Sequence, residues 1–175
     1  MNIEELNKLR LEVFEKKSHD YNSGIDPTAS FSRSAKIAGV KPHVYIKQLL
    51  AQKLSRLESY VNLGVDNMLV KDEGLLDTVV DMVSYCAIHD ALEVFNFSTG
   101  FNPWRVRTRN EAYHKIIRDW KPDIILIKDI SEWRMNELLN EIEVYLFNDD
   151  QLSSSLDEIP LILCEIYNRL TKDEN

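Results

Sequence analysis

The chain has 175 residues, with 21 Lys and Arg against 29 Asp and Glu, a formal charge of −8 and 44% hydrophobic residues. One domain, or one domain with an appendage, fits that length and can bury a real core. Five Gly and five Pro fall below the usual share of roughly 12%, which excludes a turn-rich β-sandwich and a disordered chain. The two cysteines, Cys86 and Cys164, are too few for a disulfide framework or an all-Cys zinc site. A reducing cytoplasmic setting is expected. The acidic start Met1-Asn-Ile-Glu-Glu-Leu6 predicts no signal peptide, and no apolar run reaches the ~20 residues of a membrane span. The net acidity argues against general nucleic-acid binding.

Ile3, Leu6, Leu9, Val13 and Phe14 recur at mostly three- and four-residue steps, so an amphipathic helix is predicted over 3–17. The stretch Tyr21 to Pro27 has loop chemistry. A short helix around Phe31–Ala38 should stop at Gly39. Pro42 suits the first turn of a long helix that carries Val44, Ile46, Leu49, Leu50, Leu54, Leu57 and Val61 as far as Leu63. After a short connection, a further helix is predicted over about 73–95. Short connections favour antiparallel neighbours, so these two should form a hairpin. Ser98 to Pro103 is a break. Helices are then expected over 109–120, 131–147 and about 156–170. Ser155 and Glu158 stand at capping-box spacing before the last of them, and Pro160 shifts its first turn later. Residues 123–127 suit either a short strand or a helical core segment. The expected fold is an all-α antiparallel helical bundle, with a core over 1–101 and a helical C-terminal extension over 102–175.

Charge follows that division. Residues 1–101 carry 11 basic and 14 acidic side chains, net −3; residues 102–118 are net +4; residues 119–175 carry 5 basic and 14 acidic, net −9. The basic strip around Arg105, Arg107 and Arg109 reads as a linker docking on acidic neighbours or as an anion site. The acidic end reads as a solvated face, or as a surface for a host protein.

The helix over 73–95 holds the most informative pattern. Asp77, Thr78, Asp81, Ser84 and Tyr85 make one polar stripe on an otherwise apolar helix, and Glu73 adds a carboxylate one turn earlier. Glu73, Asp77 and Asp81 then repeat at intervals of four on one face. Carboxylates amid so much apolar surface need a cation. Lys53 and Arg56, three apart on the preceding helix, can supply it across the hairpin. Two readings follow: a salt-bridge seam that sets register, or a nucleotide site. In the second, Lys53 and Arg56 meet phosphate and the carboxylates hold Mg²⁺.

Three blocks in order, Lys17-Ser-His-Asp20-Tyr21, Lys53-Leu-Ser-Arg56-Leu and Glu73-Gly-Leu-Leu-Asp77-Thr-Val-Val-Asp81-Met-Val-Ser-Tyr85, resemble the nucleotide modification associated domain 1 family of phages. That family looks like a divergent branch of the all-α MazG-like group. The resemblance covers roughly residues 5–95. It implies a helical fold, a role in phage nucleotide metabolism or base modification, and a homodimer. The MazG-like group cleaves nucleoside triphosphates to monophosphate and pyrophosphate with Mg²⁺. Its ligands come from a Glu-Glu-x-x-Glu helix and a Glu-x-x-Asp helix. Here Lys53 and Arg56 stand where the first helix carries acids, with Glu58 nearby, and the second helix reads Glu73-x-x-x-Asp77-x-x-x-Asp81. In the enzyme this implies, a pyrophosphohydrolase, Glu73, Asp77 and Asp81 hold the metal, while Lys53, Arg56 and Asp81 carry the chemistry. Asp20, Tyr21, Lys53, Arg56 and Tyr85 bind substrate. Asp20-Tyr21 is otherwise a helix-ending turn. The alternatives are a nucleotide-binding accessory protein without turnover, and an effector that binds and inhibits a host protein.

Overall fold

The computed structural model describes residues 1–22, 28–69, 73–98, 106–122, 129–147 and 158–172. Seven α-helices lie among them: α1 (Ile3–Asn22), α2 (Ala29–Ala38), α3 (Pro42–Leu63), α4 (Leu75–Ser98), α5 (Val106–Asp119), α6 (Met135–Phe147) and α7 (Ile159–Lys172). The all-α expectation is met, and no strand occurs among the described residues. None of these helices is long and apolar enough to cross a membrane. The segment 123–127 and Ser155 lie outside the described residues.

The centre of the bundle is α4. Its residues Val79, Met82, Val83, Cys86, Ala87 and Ala91 are all but fully buried, and α1, α3, α5 and α7 all pack on it. A helix apolar on nearly every side can only be surrounded. The expected α3–α4 hairpin is present and is the most extensive pairing in the fold. The described helices α5, α6 and α7 do not form a separate layer. Tyr113, Ile117, Leu138, Ile142, Ile159 and Leu163 join Leu6, Ile46, Leu57 and Met82 in one continuous core.

Several helix ends differ from expectation for local reasons. The first helix runs on to Asn22, with Ser18 buried in its last turns. α2 stops where foreseen: Gly39 is left-handed at φ 72°, and the amides of Gly39 and Val40 bond the carbonyls of Lys36 and Ala35, a Schellman closure. α4 starts at Leu75 because the Glu73 carbonyl is taken from outside the helix, accepting bonds from Tyr60 Oη (2.7 Å) and Arg56. Gly74 then becomes the N-cap. α6 starts at Met135, not Ser131, for a similar reason. The Arg169 guanidinium takes the carbonyls of Ile130, Ser131 and Trp133, and Glu137 reaches back to the Arg134 amide at 2.6 Å.

Two polar contacts tie the C-terminal helices to the rest. Arg10 on α1 is fully buried and donates to the carbonyls of Ile117 (2.8 Å) and Trp120 (3.2 Å) at the end of α5, and to Asn7 (2.9 Å). Its guanidinium also lies 5.4 Å from the Trp120 ring centroid. A cation on the last carbonyls of a helix complements its dipole. Burial pushes this guanidinium down to about 10, with Cys86 acting the other way; it stays charged at neutral pH. Asn168 on α7 pairs with both the amino group and the carbonyl of Met1.

Candidate functional site

The hairpin places Lys53 and Arg56 opposite Glu73 and Asp81. Lys53 Nζ contacts the Glu73 carboxylate and lies 2.9 Å from Asp81 Oδ2. Arg56 bonds the Glu73 carbonyl, sits 3.8 Å from its carboxylate and lies 5.7 Å from the Tyr60 ring centroid. So far this is the seam that the spacing foretells. The structure adds Lys17. Its Nζ reaches Asp81 Oδ1 at 2.5 Å from α1. A chain of ion pairs therefore runs Lys17, Asp81, Lys53, Glu73, Arg56, with three cations on two carboxylates.

The centre of the seam is largely buried. The side chains of Asp81 and Lys53 are 11% and 16% exposed, and that of Lys17 is 50% exposed. Taking charges this far from water is costly unless each is paired, and here each described carboxylate meets two cations.

Asp77 does not join the chain. It is exposed, and its carboxylate accepts the Gly74 amide at 3.1 Å, closing the first turn of α4. The third residue of a helix is where an acid caps the N-terminus. Thr78 and Ser84 turn their hydroxyls back onto the carbonyls of Gly74 and Val80. Much of the polar stripe is thus satisfied within its own helix. Among the described residues no three His, Cys, Asp or Glu side chains are grouped so that they could hold a metal ion.

At the Lys17 end of the chain a cavity of about 320 Å³ opens between α1, α2, α3 and α4. Val13, Phe14, Phe31, Tyr45, Leu49, Tyr85 and Ile88 form its apolar wall, and Lys17, Ser18, Ser30, Ser34, Asp81 and Ser84 its polar part. Phe31 and Tyr85 meet edge to face at 6.1 Å. The Ser18 hydroxyl is buried and has no hydrogen-bond partner among the described residues. Such a room, mostly apolar with a few convergent polar groups, has the make-up of a small-ligand site.

Of the expected site residues, Lys53, Arg56, Glu73 and Asp81 come together in the seam, and Asp81 and Tyr85 reach the cavity. Asp20 is exposed at the end of α1, where His19 lies 3.2 Å away, and is not part of the cavity lining. Tyr21 lies in the last turn of α1, with its side chain outside the described residues. Lys17 and Ser18 line the cavity as well; they open the first of the three sequence blocks, but their spacing alone does not mark them as cavity residues.

Comparison with protein families, with characterised proteins and with solved structures finds no match to this chain.

Proposed function

We propose that this chain is a nucleotide-binding protein of the phage type, with the base in the aromatic cavity and the phosphates toward the cations of the seam. The observation that carries the reading is the position of the cavity at the end of the ion-pair chain. A ring with an attached anion needs an aromatic wall and a cation side by side. Phe31 and Tyr85 supply the first, and Lys17 supplies the second. A nucleotide is the abundant cellular ligand with both halves. The three sequence blocks point the same way.

A second reading within this one is turnover: Mg²⁺-dependent pyrophosphohydrolysis of a (d)NTP in nucleotide metabolism or base modification. It is favoured by the convergence of Glu73 and Asp81 on one cationic centre, the Lys53 ammonium. Two carboxylates plus substrate phosphates suit Mg²⁺, so these two would hold the ion, and Asp77 stands apart at its cap. When bound, Mg²⁺ neutralises phosphate charge and lowers the pKa of a water. Lys53 and Arg56 would stabilise charge on the phosphates. Lys and Arg in place of acids favour binding without turnover. A homodimer in the host cytoplasm belongs to the same reading, and light scattering of the purified chain tests the dimer.

The experiment is a panel of dNTPs and NTPs with Mg²⁺, followed both by calorimetry and by release of monophosphate and pyrophosphate. Binding alone supports the accessory protein. Turnover that disappears in Asp81→Asn, with the fold retained, supports the enzyme. Absence of binding to every nucleotide, from a folded protein, overturns both.

A further inference from the structure

The two lysines on Asp81 are not equivalent, and the difference points to one that can move. Lys53 is largely buried and is shared between Glu73 and Asp81. Withdrawing it would take one cation from each of two carboxylates at once. Lys17 has half of its side chain in solvent and contacts Asp81 alone among the described residues. If Lys17 withdraws, Asp81 keeps Lys53 at 2.9 Å and is not left as a buried unpaired charge. Lys17 also lines the cavity, and Lys53 does not.

We propose that Lys17 is the ligand-contacting cation of this cavity, exchanging Asp81 for the phosphate of a nucleoside monophosphate on binding. This rests on the nucleotide reading given above and names the group that meets the phosphate. The next residue supports it independently. Ser18 lines the same cavity, is 5% exposed, and its hydroxyl has no partner among the described residues. A buried polar atom without a partner is uncommon in a native fold and is satisfied when a ligand brings one. One turn of α1 thus offers a mobile cation and an unsatisfied hydroxyl, with Val13 and Phe14 adding apolar wall on the turn before. The volume of about 320 Å³ sits near the lower limit of small-ligand sites, about 300–1,000 Å³. That limit favours a single nucleoside unit over a dinucleotide.

The test compares wild type, Lys17→Met, Lys17→Arg and Lys53→Met. The probes are the four deoxynucleoside monophosphates, the four phosphate-free deoxynucleosides and inorganic phosphate, followed by calorimetry at two salt concentrations and by urea unfolding. Lys17→Met keeps the apolar stem and removes the charge. It should weaken monophosphate binding about tenfold or more, as the loss of one charge-assisted contact does, and flatten its salt dependence. Deoxynucleoside binding should not change. Lys17→Arg should restore monophosphate binding to within about threefold, since a point contact asks only for charge. The urea midpoint of Lys17→Met should match wild type, while Lys53→Met lowers it.

Wild-type binding undiminished in Lys17→Met overturns this inference and leaves the nucleotide reading standing. So does a midpoint for Lys17→Met that falls as far as that of Lys53→Met, which would make Lys17 structural. Equal loss of deoxynucleosides and monophosphates in Lys17→Met overturns it as well. A wild type that binds none of the probes overturns this inference, and the nucleotide reading falls with it only when the dNTP and NTP panel is negative as well.

Discussion

Lys53 on α3 joins Asp81 on α4 at 2.9 Å, with both side chains largely out of solvent. That contact turns an apolar hairpin into one with a defined register. Breaking a buried pair from one side leaves the other charge stranded, which typically costs about 3–5 kcal/mol. Here Glu73 remains on Lys53, so Asp81→Ala should cost somewhat less, about 2–3 kcal/mol. Urea unfolding measures it. A double-mutant cycle of Asp81→Ala with Lys53→Met should give a coupling above about 1 kcal/mol. Additive single effects would mean that the pair contributes nothing beyond its members.

Asp77 caps α4 through the Gly74 amide. Asp77→Ala should therefore lose about 0.5–1 kcal/mol of stability, and Asp77→Asn less, since an amide oxygen still accepts. The capping role also predicts that the Mg²⁺ dependence of nucleotide binding is the same in Asp77→Asn as in wild type. A variant whose binding no longer responds to Mg²⁺ would assign Asp77 to the metal instead.

Arg10 holds the C-terminal end of α5 against α1 by two carbonyl bonds. Arg10→Met fills much of the volume but leaves the Ile117 and Trp120 carbonyls without this donor, at about 2–4 kcal/mol. Arg10→Lys should recover only part of the loss, because an ammonium cannot span both carbonyls as the planar guanidinium fork does. Full recovery by lysine, in thermal melts of the three proteins, would show that charge alone matters at this position.

Burial pushes the Cys164 thiol up to about 11, against an ordinary value of 9. Between those two values the folded chain keeps the proton and the unfolded chain releases it. The native state then binds more protons, so stability is intact below pH 9 and falls as pH rises toward 11. Tyr145 adds to the same trend at higher pH: desolvation raises it first, and its bonds to Glu158 and Glu141 raise it further. Cys164→Ala should flatten the decline between pH 9 and 11 in urea midpoints taken at successive pH values. An unchanged slope would place the titration elsewhere.

The sequence by itself determined the helices and the pairing of two of them. Apolar steps of three and four mark α3 and α4, Gly39 ends α2 and Pro42 opens α3, and a short connection makes α3 and α4 antiparallel. From that hairpin, Lys53 and Arg56 opposite Glu73 and Asp81 follow directly, because positions three or four apart share a helix face. Spacing alone also grouped Asp77 with Asp81. It could not show that α4 begins at Leu75, where an acid at the third position is drawn to the cap. Tertiary structure alone decided the rest. Lys17 precedes Asp81 by 64 positions, and no periodicity tells which helix will lie against which. The cavity needs four helices to close it, and the burial of Arg10 needs the end of α5. The helices α5, α6 and α7, from the stretch that composition sets apart as basic and then acidic, enter the same core as the helices before them, because α4 is apolar on too many sides for α1 and α3 to cover.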